Sequence, residues 1–173
     1  CYIRRIEYAF PKRTENINDI KKKNPSWDTK KIIDKTGIFR RYISSKKETC
    51  LYLALKSSKK LLKNFDKNKI DFVIFVSQTY EKNLTTASCI IQDQVGLKKI
   101  IIAIDLNLGC SGFIYALKIG HSFFKDSNIN NGIIVCSDTY TKYISINNRS
   151  SRPIFSDGSA SILLSYSKFD KIN

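Results

Sequence analysis

The chain has 173 residues, enough for one substantial core, and carries 30 Lys and Arg against 15 Asp and Glu, a formal net charge of +15. Its longest apolar runs, Ile100–Ile104 and Ile133–Cys136, fall far short of the roughly 18 residues a membrane span needs, and the N-terminus lacks a signal-peptide pattern, so a soluble, cytoplasmic, single-domain protein with no membrane contact is expected. Basic residues are scattered through every segment, which argues against nucleic acid and for a solvated positive surface able to attract an acidic protein.

Tyr2 to Phe10 alternates apolar and polar residues and stops at Pro11, the pattern of an edge or half-buried strand. From Ile17 the chain is polar and lysine-rich. Asn24-Pro25-Ser26 breaks it, and Ser26 is expected to cap a short helix over Trp27 to Asp34. Glu48 to Phe65 spaces Leu51, Leu55, Leu61, Leu62 and Phe65 on a helical period, and Ile70 to Val76 follows as an apolar, β-branched run, so a helix returns to a buried parallel strand. Ala87 to Val95 reads as a helix closed by Gly96. A strand over Ile100 to Leu106, a helix over Phe113 to Phe124, a buried strand over Gly132 to Ser137, a polar loop over Asn147 to Ser151 and a last strand over Ser159 to Tyr166 complete the chain. This alternation implies an α/β fold with a largely parallel sheet covered on both faces.

Five cysteines, Cys1, Cys50, Cys89, Cys110 and Cys136, are odd in number, widely spread and never in a C-x-x-C pair, which argues against a disulfide framework and against a zinc site. Cys50, Cys89 and Cys136 sit in apolar helix or strand patterns and read as small buried hydrophobes. Cys110 differs. It stands where the strand over Ile100 to Leu106 meets a small-residue turn and then a helix, so the unpaired N–H groups and positive dipole end of that helix lie beside its sulfur, conditions that favour a thiolate. Gly109, Ser111 and Gly112 leave room for a substrate to approach.

The segment from Asp105 through Gly109-Cys110-Ser111-Gly112 to Leu117 resembles the active-site cysteine motif of the thiolase-like condensing enzymes, in particular ketoacyl-acyl carrier protein synthase III. Lys35-Thr-Gly-Ile-Phe-Arg-Arg41 and Phe155-Ser-Asp-Gly-Ser-Ala160 are similar to an early and a later signature of that family, in its order and at about its spacing. The resemblance implies a thiolase-like half, with a mostly parallel mixed sheet and helices on both faces. Residues 1–173 would then be the N-terminal domain, and a C-terminal half beyond this chain would supply a His and an Asn. It further implies that Cys110 takes an acyl group from a coenzyme A or phosphopantetheine thioester and condenses it with malonyl-acyl carrier protein in fatty-acid or related biosynthesis. No cofactor would be permanently bound, no metal would be used, and acyl carrier protein and a second copy of the chain, as a homodimer, would be the partners. The only histidine, His121, lies eleven residues beyond Cys110, hence about 16 Å along one helix, too far to be its base.

The same resemblance assigns binding residues. Arg149 matches an arginine that contacts the nucleotide end of coenzyme A, and Lys35 falls where another basic contact is expected. Lys31 occupies the position of a tryptophan that stacks on adenine in many relatives, while Trp27, one helical turn earlier, is expected to present its ring from the same face. Leu84 matches a bulky residue that closes the acyl pocket of the neighbouring subunit. Two other functions fit the same residues: acyl transfer to a hydroxyl or amine acceptor, and a non-catalytic interaction domain. Retention of the Gly109–Gly112 turn speaks against the second.

Overall fold

The computed structural model describes residues 1–82 and 84–167. In chain order it comprises β1 (Tyr2–Ala9), β2 (Arg13–Asn16), α1 (Ile17–Lys23), α2 (Thr29–Thr36), β3 (Arg40–Ile43), α3 (Cys50–Leu61), β4 (Phe72–Val76), α4 (Ala87–Val95), β5 (Ile102–Leu106), α5 (Gly112–Phe123), β6 (Asn131–Asp138) and β7 (Gly158–Ser165). The main sheet runs β1-β7-β6-β4-β5. β4 is parallel to β5 and to β6, whereas β7 is antiparallel to both β6 and β1. Four of its five strands therefore point the same way and only β7 opposes them, a mixed, mostly parallel sheet as the alternation predicted. β2 and β3 form a separate antiparallel pair.

Strand periodicity divides the core in two, because successive side chains of a strand face opposite sides. From β4, Val73 and Phe75 join Cys50, Ala54 and Leu61 of α3 and Ala87, Ile91 and Val95 of α4. Phe72, Ile74 and Val76 join Ala116 of α5 with Ile134, Ile162 and Leu164 on the opposite side. All five β4 residues are buried, which is why this strand reads as one continuous apolar run.

Several boundaries differ from expectation. The second helix starts at Thr29 with Asp28 as its cap, its side chain accepting from the Lys31 N–H, so Ser26 is not the cap and Trp27 precedes the helix. An aspartate one residue before the helical run competes successfully with the serine. The lysine-rich stretch after Ile17 is also helical. Asn16 and Asp19 close a reciprocal capping box around its start, at 2.9 and 3.0 Å. Cys89, expected to be buried, is exposed, because α4 turns Ala87, Ser88, Ile91 and Val95 inward and leaves Cys89 on its outer side. No helix among the described residues is long and apolar enough to cross a membrane.

Candidate active site

β5 ends at Leu106, and after five intervening residues α5 begins at Gly112, with Cys110 exposed on the turn between them. The turn is tight: the Gly112 N–H donates to the Gly109 carbonyl at 2.8 Å. Gly112 lies so close to β4 that a Cβ there would meet Val76 Cγ1 at 2.4 Å, which lets the helix start directly against the strand. Ser111 occupies the N-cap position but makes no side-chain cap hydrogen bond, and no side chain among the described residues bonds the first N–H groups of α5.

α4 begins differently. Thr86 gives it no side-chain cap; instead Asp105, from β5, accepts from the Ala87 N–H at 2.7 Å and the Ser88 N–H at 2.9 Å. A carboxylate from the neighbouring strand thereby neutralises this helix end and fixes the loop between β4 and α4 beside the Cys110 turn.

Asp138, at the end of β6, ties that loop to the sheet. Its Oδ1 accepts from Ser77 Oγ at 3.1 Å, the Gln78 N–H at 2.9 Å and Thr79 Oγ1 at 2.8 Å. The Gln78 side chain leans onto the Cys110 turn: its Oε1 accepts from the Tyr140 hydroxyl and lies 2.5 Å from where a Cβ on Gly109 would sit. Neither Gln78 nor Tyr140 was visible as a site residue, since 62 positions separate them and neither belongs to a motif.

The binding residues read from the sequence fall into place unequally. Lys31 and Lys35, one turn apart on α2, line a cavity of about 590 Å³ together with Arg149 and Ser150 from the loop before β7, and Ile32, Pro153 and Ile154 give it an apolar wall. Trp27 does not present its ring there. It is only 7% exposed and stands ahead of α2, so the expected one-turn relation to Lys31 is absent. Leu84 is 88% exposed on the loop between β4 and α4. His121 is in the last turn of α5, exposed and at the far end of that helix from Cys110.

The Arg149 segment is anchored by charge. Arg152 Nη2 donates to both oxygens of the buried Glu15, at 3.0 and 3.1 Å, and Arg41 donates to Glu15 and, through Nη1, to the Phe155 carbonyl at 2.7 Å. Asp157, 1% exposed, accepts from the Ser44 N–H at 2.8 Å, the Thr141 N–H at 2.9 Å and Thr141 Oγ1 at 2.5 Å. These bonds tie the Asp157-Gly158 stretch to the segments that carry Ser44 and Thr141.

The family model described as 3-oxoacyl-[acyl-carrier-protein (ACP)] synthase III matches residues 104–172. A curated relative, the beta-ketoacyl-[acyl-carrier-protein] synthase III of Clostridium perfringens, is 34% identical over 158 residues, covering 90% of this chain and 47% of the relative. A crystal structure of a 3-oxoacyl-(acyl-carrier-protein) synthase III superposes with a TM-score of 0.90 at 29% identity over 95% of this chain and 50% of that one. The corresponding Aquifex aeolicus structure gives 0.84 at 28% identity, over 94% and 53%. The chain spans about half the length of the curated relatives it matches.

Proposed function

Because the chain is a ketoacyl-[acyl-carrier-protein] synthase III-like protein of the thiolase fold, corresponding to roughly the N-terminal half of such a protein, we propose that Cys110 is the acyl-accepting nucleophile of a condensing enzyme. The observation that carries this reading is the exposed thiol on a tight turn before an α5 N-terminus that its N-cap residue, Ser111, leaves without a side-chain bond. The Cys110 sulfur attacks the carbonyl of an acyl thioester. A new S–C bond forms at Cys110, the donor's S–C bond breaks, and the thiol proton ends on the departing coenzyme A or phosphopantetheine thiol. Malonyl-acyl carrier protein then loses carbon dioxide, its carbanion forms a C–C bond to the acyl carbonyl as the acyl S–C bond to Cys110 breaks, and the released Cys110 thiolate regains a proton from solvent. The His and Asn that assist decarboxylation are assigned to the other half of the protein, since His121 stands at the wrong end of α5.

In this reading Lys31, Lys35 and Arg149 hold the phosphate-bearing end of the donor, their charges complementing it across the cavity they share. Acyl carrier protein is the acidic partner for the +15 surface, a second copy of the chain covers Leu84, and the setting is the cytoplasm. The test is intact-mass analysis of the full-length protein after incubation with an acyl thioester, then with malonyl-acyl carrier protein. One acyl group on Cys110, discharged by the second substrate and absent in Cys110→Ala, is expected. Acylation that persists in Cys110→Ala would overturn the assignment.

A further inference from the structure

Gln78 stands where β4 gives way to the loop beside the nucleophile. Its backbone is held by Asp138 at 2.9 Å, and its side-chain amide is wedged against Gly109, with Oε1 2.5 Å and Nε2 3.7 Å from the position of an added Cβ. Tyr140 donates to Oε1 and so fixes which way the amide faces. Burial of the Tyr140 ring raises its phenol, and the Asp138 carboxylate and then Cys110 raise it further, in keeping with a hydroxyl that donates. With Oε1 engaged by Tyr140, the two Nε2 hydrogens of Gln78 have no acceptor among the described residues. The side chain is exposed, at the residue next to Cys110. The adjoining hollow, about 150 Å³, is lined by Gln78 with Ser77, Tyr80, Lys82, Asp105 and Asn107 and, on its apolar side, Phe75 and Leu106, so its volume is small and its wall mixed.

We infer that Gln78, oriented by Tyr140, is a specificity-determining wall for the acyl group carried on Cys110, favouring short chains with an oxygen acceptor near the thioester carbonyl over plain alkyl chains. This rests on the acylation of Cys110 proposed above. A plain alkyl chain laid against the amide would exclude water from two N–H donors and return nothing to them, whereas a β-oxygen accepts one of them. Asp138 and Asp105 accept hydrogen bonds from backbone N–H and hydroxyl groups of the loop and of the start of α4, and among the described residues neither accepts from Gln78 Nε2.

Two measurements on the full-length protein test it. The first is the pH profile of Cys110 alkylation by iodoacetamide in wild type and Gln78→Glu. A carboxylate beside the thiol should disfavour the thiolate and move the profile to higher pH by about half a unit or more; an unmoved profile would remove Gln78 from the neighbourhood of the sulfur and overturn the inference. The second compares Cys110 acylation by the β-hydroxybutyryl and butyryl thioesters of N-acetylcysteamine, which differ by one hydroxyl. Wild type should favour the hydroxy acyl group by about fivefold, the worth of one ordinary hydrogen bond. Gln78→Leu should abolish that preference and Tyr140→Phe reduce it. Equal wild-type rates, or a preference retained in Gln78→Leu, would overturn the inference and leave the acylation of Cys110 standing. Acylation by neither donor would overturn the proposed function, and the selectivity with it.

Discussion

Glu15 and Arg41 form an ion pair in which both side chains are only 2% exposed. They are direct partners across the β2–β3 ladder, so the small sheet sets the geometry of the pair. Arg152 and Lys23 join the same carboxylate, the latter at 2.7 Å. One anion therefore gathers three cations, from β3, from the end of α1 and from the segment that carries Arg149 to the cavity lined by Lys31 and Lys35.

Removing that anion leaves buried cations facing one another, so Glu15→Gln should cost about 3–5 kcal/mol, as breaking a buried pair typically does. Burial alone would raise the Glu15 carboxyl, but hydrogen bonds from Lys23 and Arg41 and the charge of Arg152 outweigh it and bring it from 4.5 down to about 2. A carboxyl depressed in the folded state stabilises fully above its ordinary value and loses that contribution as pH falls from about 4.5 through 2. The expected loss over this window is on the order of 2–3 kcal/mol. Urea unfolding of wild type between pH 6 and 2 should show the decline, and Glu15→Gln should flatten it; parallel curves would refute the argument.

Thiol reactivity should separate Cys50, Cys89, Cys110 and Cys136. Burial pushes Cys50 up to about 11 and, with the Asp138 charge, Cys136 up to about 12, so both should alkylate slowly near neutral pH. Cys89 and Cys110 are both exposed near helix starts, but Asp105 neutralises the start of α4 and no side chain caps α5. Cys110 should therefore react faster than Cys89 under brief iodoacetamide labelling with mass mapping. Asp105→Asn should narrow the difference by speeding Cys89. A faster Cys89 in wild type would contradict the electrostatic contrast.

How much of this was legible in the sequence depended on how local the signal was. Helix α4 with its Gly96 cap, the buried strand β4 and the turn bearing Cys110 follow from short-range pattern and chemistry, and all three stand where the residues put them. The four-residue strands β2 and β3 were missed because neither is long enough to show a period and each depends on the other for pairing. The Asn16–Asp19 capping box was present to be read, but the lysines after it masked the helix. Trp27 stands ahead of α2 and is buried, because the expected one-turn relation to Lys31 depended on a helix boundary two residues away. The Tyr140–Gln78 and Arg152–Glu15 contacts join segments 62 and 137 residues apart, and no local rule reaches that far.

Asp157 should prove a structural rather than a chemical residue. Both of its oxygens face donors from Ser44 and Thr141, so Asp157→Asn turns one acceptor into a donor against them and should cost about 1–3 kcal/mol. The alkylation rate of Cys110 in the folded variant should match wild type. A loss of Cys110 reactivity without a loss of stability would give Asp157 a part in the site.

The cavity proposed to hold the donor carries the last expectation. Three cations, Lys31, Lys35 and Arg149, suit phosphates, but the position expected to offer an aromatic face to adenine holds Lys31, and the nearby Trp27 is buried. Coenzyme A thus forgoes a stacking contact worth about 1–3 kcal/mol, while a carrier-protein donor, which has no adenine, forgoes nothing. The +15 charge adds attraction for an acidic carrier at low salt that fades as ionic strength rises. Acylation of Cys110 in the full-length protein should accordingly be faster from an acyl-carrier-protein donor than from the same acyl group on coenzyme A, with the advantage shrinking in added salt. Lys31→Trp should improve coenzyme A use selectively, because a stacked base at about 1–3 kcal/mol outweighs one exposed cation at about 0–1 kcal/mol, and Arg149→Ala or Lys35→Ala should weaken it. Trp27→Ala should instead lower stability by about 3–5 kcal/mol, the cost of truncating a buried large aromatic, and burden both donors alike. A selective loss of coenzyme A use in Trp27→Ala would mean that the ring reaches the cavity after all, and faster acylation from coenzyme A at low salt would reverse the predicted order of donors.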